Sequence, residues 1–371
     1  MYKLLPILLL FSLGLQAQTP QRVYRITKEM KKPAWYQEQI QAWKKVVEKN
    51  PQNGDAWLNY YWATRAGGQV SGGPWPQAAM EKVVAGVQKA MPNSFEYYFL
   101  SSFTNGSDFD AKLEMLKKAY EADPSRLELN EEFALQYEIK RDLSKRKEFN
   151  IKWYQSNELS PHLLAINYNV LMSLDQNAVI ITHGDNDTMP LWLLQDALGV
   201  RPDVTVINAS LANLPAYRTK LMEHLGLPKN KAEQVKADVP SMVKLLSSEY
   251  GIPVHIVLTL KESLYESIKS DLYMVGLTSK YSEKRFDNLR VLADNVENKF
   301  RMNHVSDVFS YLSPESTIRY HMGTYLAPLM RLQKHYEEKG QTGKAKINKE
   351  RLLQIAERCG RSEEVKKWLL R

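Results

Sequence analysis

Residues 178–188 read Ala-Val-Ile-Ile-Thr-His-Gly-Asp-Asn-Asp-Thr, and the reading of the fold turns on them. Ala178 to Ile181 is an unbroken apolar, β-branched run, the pattern of a strand buried on both faces. The polar turn 183–188 ends it. Beyond the turn, Leu191, Leu194 and Leu198 share one helical stripe, and Gly199 stands just past its end. Asp187 or Thr188 suits the helix cap, and Pro190 suits its first turn. A second strand occupies 204–208, so the connection should be a right-handed βαβ crossover. Runs 254–260 and 272–278 are two more strand candidates. Residues 176–282 thus predict a small, mostly parallel α/β layer.

The period is helical on both sides. Upstream, Val46 to Pro51 (VVEKNP), Val87 to Pro92 (VQKAMP) and Ala119 to Pro124 (AYEADP) end alike, with a small or β-branched residue five before a proline. Each proline is expected to open the next aromatic-rich helix, because a first turn tolerates proline and a helix interior does not. The prolines lie 41 and 32 residues apart, bracketing the roughly 34-residue tetratricopeptide period. The longer interval carries Gly67-Gly68 and Gly72-Gly73-Pro74. Residues 36–160 therefore resemble tetratricopeptide repeats, with generic paired helices as the alternative. Downstream, Tyr311-Leu312-Ser313-Pro314 opens a helix, 340–343 breaks it, and 344–358 and 362–370 form a last pair. The fold class is α/β plus all-α: tetratricopeptide-like hairpins flanking the α/β module. Expected boundaries are 1–17, 18–170, 171–310 and 311–371. The arrays also have the option of packing onto the module as one body.

Lys3, the apolar stretch Leu4 to Leu15 and the small residue Ala17 read as a signal peptide cleaved near Ala17. The run is too short to span a bilayer comfortably, which takes about 20 residues. No other run of spanning length follows, so the expected product is exported or periplasmic and soluble. The single cysteine, Cys359, excludes an intrachain disulfide. A net charge of +8 suits an anionic surface or glycan, or simply solvated helix faces. Export argues against nucleic acid as a partner.

The one site-like cluster is His183, Gly184, Asp185, Asn186, Asp187 and Thr188, with Asn208 ending the next strand toward the same edge. Open α/β sheets bind ligands at the carboxyl ends of strands, and a helix N-terminus offers N–H groups. Gly184 permits a sharp turn or close ligand approach. Asp185 and Asp187 are the candidate pair for a divalent cation, with His183 as a nitrogen ligand. Three readings stand: an ordinary Asp/Asn turn, ligand binding without chemistry, and catalysis. No phosphate loop, nucleophile elbow or zinc-helix motif appears, and no cofactor is expected. His255 reads as a strand position, and His321 and His335 as surface residues. In the first helical array Trp57, Tyr60, Tyr61, Trp62 and Trp75 are either partner anchors or repeat core.

Residues 178–213 also resemble the soluble C-terminal region of multi-pass bacterial membrane proteins related to protein O-mannosyltransferases. The residues carrying this are Gly184-Asp185-Asn186-Asp187-Thr188, Pro190-Leu191-Trp192, Arg201, Asp203-Val204, Val206 and Asn208, with Ile252 to His255 and Gly276-Leu277 beyond. His183 and Met189 depart from the pattern, and the family's membrane spans are missing. The resemblance implies a fold and a link to envelope glycosylation, without the transferase part. The leading expectation is an exported helical-repeat adaptor for an envelope protein. The alternative is a glycan-handling or metal-dependent module on the turn.

Overall fold

A computed structural model describes residues 19–104, 106, 108–306 and 316–370. The expected signal peptide and the helix start at 311–314 lie outside the described residues. The chain divides into two compact units. Among the described residues, one comprises 19–25 together with 31–104 and 106, and the other 26–30 with those from 108 onward.

Among its described residues the first unit has four helices: α1 (Pro33–Lys49), α2 (Gly54–Val70), α3 (Gln77–Ala90) and α4 (Phe95–Ser101). Tyr36, Ala56, Tyr61, Met80, Val87 and Phe99 fill its core. α3 approaches α2 so closely that a Cβ on Gly86 would lie 2.7 Å from the Trp57 ring.

The three repeated prolines act differently from expectation. α2 and α4 start three residues after Pro51 and Pro92, and side chains open them: Asn53 accepts from Ala56 N–H and Ser94 from Tyr97 N–H. The prolines instead stop the preceding helix. A residue before proline is pushed out of the helical region, and Asn50, Met91 and Asp123 all have φ between −135° and −153°. Each still donates its N–H to the carbonyl four residues back, on Val46, Val87 and Ala119. The residue five before each proline thus carries the carbonyl that closes the last turn. Val87 and Ala119 are also the last core residues of their helices, whereas in α1 that place falls to Val47, beside Val46.

The second unit begins with α5 (Phe109–Ala122), α6 (Glu128–Lys140), α7 (Leu143–Gln155) and α8 (Pro161–Met172). Then come β1 (Val179–Thr182), α9 (Asp185–Leu198), β2 (Thr205–Asn208), α10 (Pro215–His224), α11 (Lys229–Ala232) and α12 (Val239–Lys244). Strands β3 (Val254–Val257), β4 (Leu272–Met274) and β5 (Thr278–Tyr281) complete the sheet. It is followed by α13 (Asn288–Asp294), α14 (Asn303–Ser306), α15 (Ser316–Met322), α16 (Leu326–Glu338), α17 (Thr342–Cys359) and α18 (Ser362–Leu369).

The fold class is therefore as read, helical hairpins around a small α/β layer. The strand order is β2-β1-β3-β5-β4. β1 pairs in parallel with β2 and β3, so Val179 faces Thr205 and Val254. β5 runs antiparallel to both β3 and β4. The sheet is thus mixed rather than mostly parallel, because the run 272–278 breaks into two strands. The intervening residues 275–277 are too few for a parallel crossover, so the pair is a hairpin. Gly276 is needed there: a Cβ would lie 2.3 Å from Ser173 Oγ, which accepts the Leu277 N–H. Val179, Ile180 and Ile181 are fully buried, as a central parallel strand requires. One apolar cluster runs from Trp153 on α7 through the sheet to Leu332, Leu352 and Val365 on the last helices. The terminal hairpin and the sheet share one core.

Candidate functional site

At the carboxyl edge of β1 the helix begins earlier than its sequence suggests. Gly184, with φ −95° and ψ 166°, is the N-cap of α9, and Asp185, Asn186 and Asp187 form the first turn. A Cβ at Gly184 would meet only Asp187 Oδ2, at an ordinary 3.6 Å, so the turn itself does not demand glycine. Pro190 sits inside the helix and cannot donate to the Asn186 carbonyl four residues back. Asn167 on α8 supplies the missing donor, its Nδ2 lying 3.0 Å from Asn186 O.

Most of the singled-out side chains are engaged internally. Thr188 Oγ1 donates to Gly184 O at 2.7 Å and accepts from Asn208 Nδ2 at 2.9 Å, with Thr182 Oγ1 at 2.6 Å. Asn208 Nδ2 also reaches His183 O at 3.2 Å, and its Oδ1 accepts from the Ser210 and Leu211 N–H groups. Helix α9 and the strands β1 and β2 are thereby pinned at one point. Asn186 Nδ2 donates to Thr27 O at 2.7 Å, tying down residues 26–30.

Asp187 is buried and accepts from Thr259 Oγ1 at 2.7 Å, with His321 Nδ1 at 3.3 Å. Asp185 is exposed, and neither its side chain nor that of half-buried His183 makes a hydrogen bond or ion pair among the described residues. The two carboxylates, expected to grip a cation together, diverge: residues two apart on a helix do not share a face. Asp185 lines one small cavity with Lys28 and Glu158, and Asp187 lines another with His321 and Thr259. No group of three or more His, Cys, Asp or Glu able to hold a metal occurs among the described residues.

His321, expected at the surface, is buried at 7% exposure. Burial pushes its imidazole below the ordinary histidine pKa, against the pull of Asp187. An imidazole oriented through Nδ1 by a carboxylate is the relation that prepares a general base. Here the adjoining space is about 10 Å³, and beside Asp185 about 20 Å³, room for a water molecule rather than a sugar. The dyad as built links α15 to α9. Sequence reasoning missed His321 and Thr259 because only tertiary packing brings them to Asp187.

Three further features were hidden in the sequence. Arg201, at φ 49°, donates to the carbonyls of Leu171, Leu174 and Asp175 and forks onto Asp203. It holds the Asp203 carboxyl down at about 2. The pair thus clips the end of α8 to the entry of β2, beside an open depression of about 470 Å³ that Lys299 also lines. His255, fully buried on β3, sits 2.9 Å from Asp175 through Nε2 and 3.2 Å from Thr278 through Nδ1. With Lys280 it keeps the Asp175 carboxyl far below its usual range. Finally, Glu138 takes hydrogen bonds from Arg141, Arg146 and Tyr217, and Arg146 forks onto Asp196 at 2.8 and 2.9 Å.

The aromatic anchor candidates separate by burial. Trp57 and Tyr61 are core residues, and Trp57 Nε1 donates to Pro51 O at 2.9 Å, so neither presents a face to a partner. Tyr60 and Trp62 are half-buried. Trp75 is 48% exposed.

No helix among the described residues is long and apolar enough to cross a membrane. No curated protein matches the chain. A solved structure described as "Structure of Naa15/Naa10 bound to HypK-THB" is similar at 12% identity and a TM-score of 0.25, over 87% of this chain and 48% of that one. The chain thus spans about half the length of that protein. The family described as TMEM260-associated domain 2 matches residues 164–239, the stretch that runs from within α8 through β1, α9, β2, α10 and α11.

Proposed function

We propose that this chain is an exported helical-repeat adaptor that holds a protein partner in the cell envelope, in a setting linked to envelope glycosylation. The observation carrying the reading is that Asn186, Asp187, Thr188 and Asn208 are bonded within the fold. They build the α/β layer into a rigid body, and the helical hairpins supply surface for a partner. Export rests on Lys3, the apolar stretch to Leu15, and Ala17. The glycosylation link rests on the resemblance of 178–213 to proteins related to O-mannosyltransferases, and on the TMEM260-associated domain match.

The second reading, a glycan or cation site on the turn, has one specific support. His183 and Asp185 stand at the carboxyl edge without internal partners among the described residues. Crosslinking in cells, followed by capture of the native protein, separates the two. The expected result is that wild type and the His183→Ala/Asp185→Ala double variant capture the same envelope protein. If the folded double variant loses the partner or a bound glycan, the turn is the working site. If wild type captures no envelope protein, the adaptor reading fails.

A further inference from the structure

The chain's positive charge is unevenly placed. The first unit carries ten Lys and Arg against five Asp and Glu over residues 19–25 and 31–106, a balance of +5 out of the chain's +8. Within that unit Arg65 on α2 is held by aromatic rings. Its guanidinium carbon lies 5.1 Å from the Phe103 ring centroid, 5.2 Å from Trp75 and 5.6 Å from Trp62. Arg25 lies 5.4 Å from the same Trp62 ring. Trp75 Nε1 reaches Gln77 Oε1 at 3.2 Å, which orients the exposed ring.

Cation–π contacts fix a guanidinium in place without using its N–H donors. Arg65 makes no hydrogen bond or ion pair among the described residues, and it is half-buried rather than flung into solvent. A fork so placed, with unused donors, matches a carboxylate in two-point contact. The 48% exposed Trp75 ring offers an apolar surface beside it.

We infer that Arg65, with Trp75 beside it, is the recognition point for an acidic, extended segment of the partner protein. Resting on the adaptor reading, this names the partner's chemistry. The charge excess complements such a segment, and stacked helical hairpins present surfaces suited to extended chain. A lipid headgroup would use the charge but not the ring. An acidic glycan, which can offer a carboxylate to the fork and a sugar face to the ring, is the competing occupant that the heparin arm of the test distinguishes.

The test uses the full chain and a fluorescein-labelled Glu/Asp-rich peptide carrying one leucine, read by fluorescence anisotropy, with its Gln/Asn counterpart as control. The acidic peptide should bind, its affinity should fall with added salt, and the neutral peptide should not bind. Arg65→Lys keeps the charge but loses the fork, and should weaken binding by about tenfold or more. Trp75→Ala should weaken it too, whereas Lys44→Gln on exposed α1 should change it little. Circular dichroism checks that each variant is folded. Equal affinity in Arg65→Lys overturns the inference. So does Arg65-dependent binding of phosphatidylglycerol vesicles or heparin fragments in place of the peptide. In the cell-capture experiment, an Arg65→Lys protein that still captures the wild-type partner ends this inference and leaves the adaptor reading intact.

Discussion

Glu138→Gln should be among the most damaging single-atom changes in the second unit. The Glu138 carboxylate is fully buried and faces Arg141, Arg146 and the Tyr217 hydroxyl, the last at 2.9 Å. Asp196 takes the other edge of Arg146 and also accepts from Asn150 Nδ2 at 2.7 Å. Two carboxylates thus balance two guanidiniums, and the cluster joins α6 and α7 to α9 and α10. The amide keeps the shape and removes one charge, so half-buried Arg141 is left without its counter-ion and buried Arg146 keeps only Asp196. Breaking a buried pair from one side costs about 3–5 kcal/mol. For a unit of this size that corresponds to about a 10 °C fall in Tm. Urea unfolding followed by far-ultraviolet circular dichroism and tryptophan fluorescence measures it. Trp192, 5.8 Å from the Arg146 guanidinium, reports locally. Glu148→Gln is the comparator: Glu148 pairs with Lys145 and Lys152 at the surface, and its loss should change stability by less than about 1 kcal/mol. If Glu138→Gln unfolds within about 1 kcal/mol of wild type, the cluster does not hold these helices together and the reasoning is wrong.

Other perturbations test the remaining elements. Gly86→Ala forces a Cβ to 2.7 Å from the Trp57 ring and should destabilise the first unit by about 1–3 kcal/mol. Gly343→Ala on α17, where nothing lies within 4 Å, should instead stabilise by roughly 0.4–1 kcal/mol; thermal melts of both compare the signs. Thr188→Val removes the hydroxyl shared by Gly184 O, Thr182 and Asn208 and should cost about 1–3 kcal/mol in urea unfolding. The fourth concerns acid. Burial, then His162, holds His304 down to about 4, and the groups around it are Tyr325, Arg358 and the Arg301 backbone. A lowered histidine is neutral when folded, so the unfolded chain takes the proton first and stability falls with pH below about 6.5. Between pH 7 and 5 His304 should account for about 2 kcal/mol, and His304→Gln should flatten the curve. A curve still as steep in that variant would place the acid sensitivity elsewhere. The depressed Asp175 acts only at lower pH, since its stabilisation is kept until the pH drops below the ordinary carboxylate range.

Local patterns were enough for most of the elements and for their class, though not for every boundary. The run at 179–181 declares a buried strand because three successive β-branched residues cannot all face solvent. The proline-terminated segments declare helix ends, since a proline reshapes the residue before it whatever surrounds it. Both effects act within a few residues, and they are legible without neighbours. Contacts between distant segments are not. Thr259 lies 72 residues from Asp187, and no spacing rule joins them or brings His321 to the same carboxylate. Whether Trp57, Tyr61 and Trp75 are core or surface depends on how α2 and α3 pack, because all three carry the same apolar signal. That the run 272–278 folds back on itself as β4 and β5 is decided by strand pairing, and the need for glycine at 276 appears only once Ser173 packs against the turn. The sequence of this protein thus determined its helices, its central strand and the cluster 183–188 as a helix entry. Only the tertiary structure decided that most of that cluster faces inward, because hydrogen bonds and burial belong to pairs of segments rather than to either one alone.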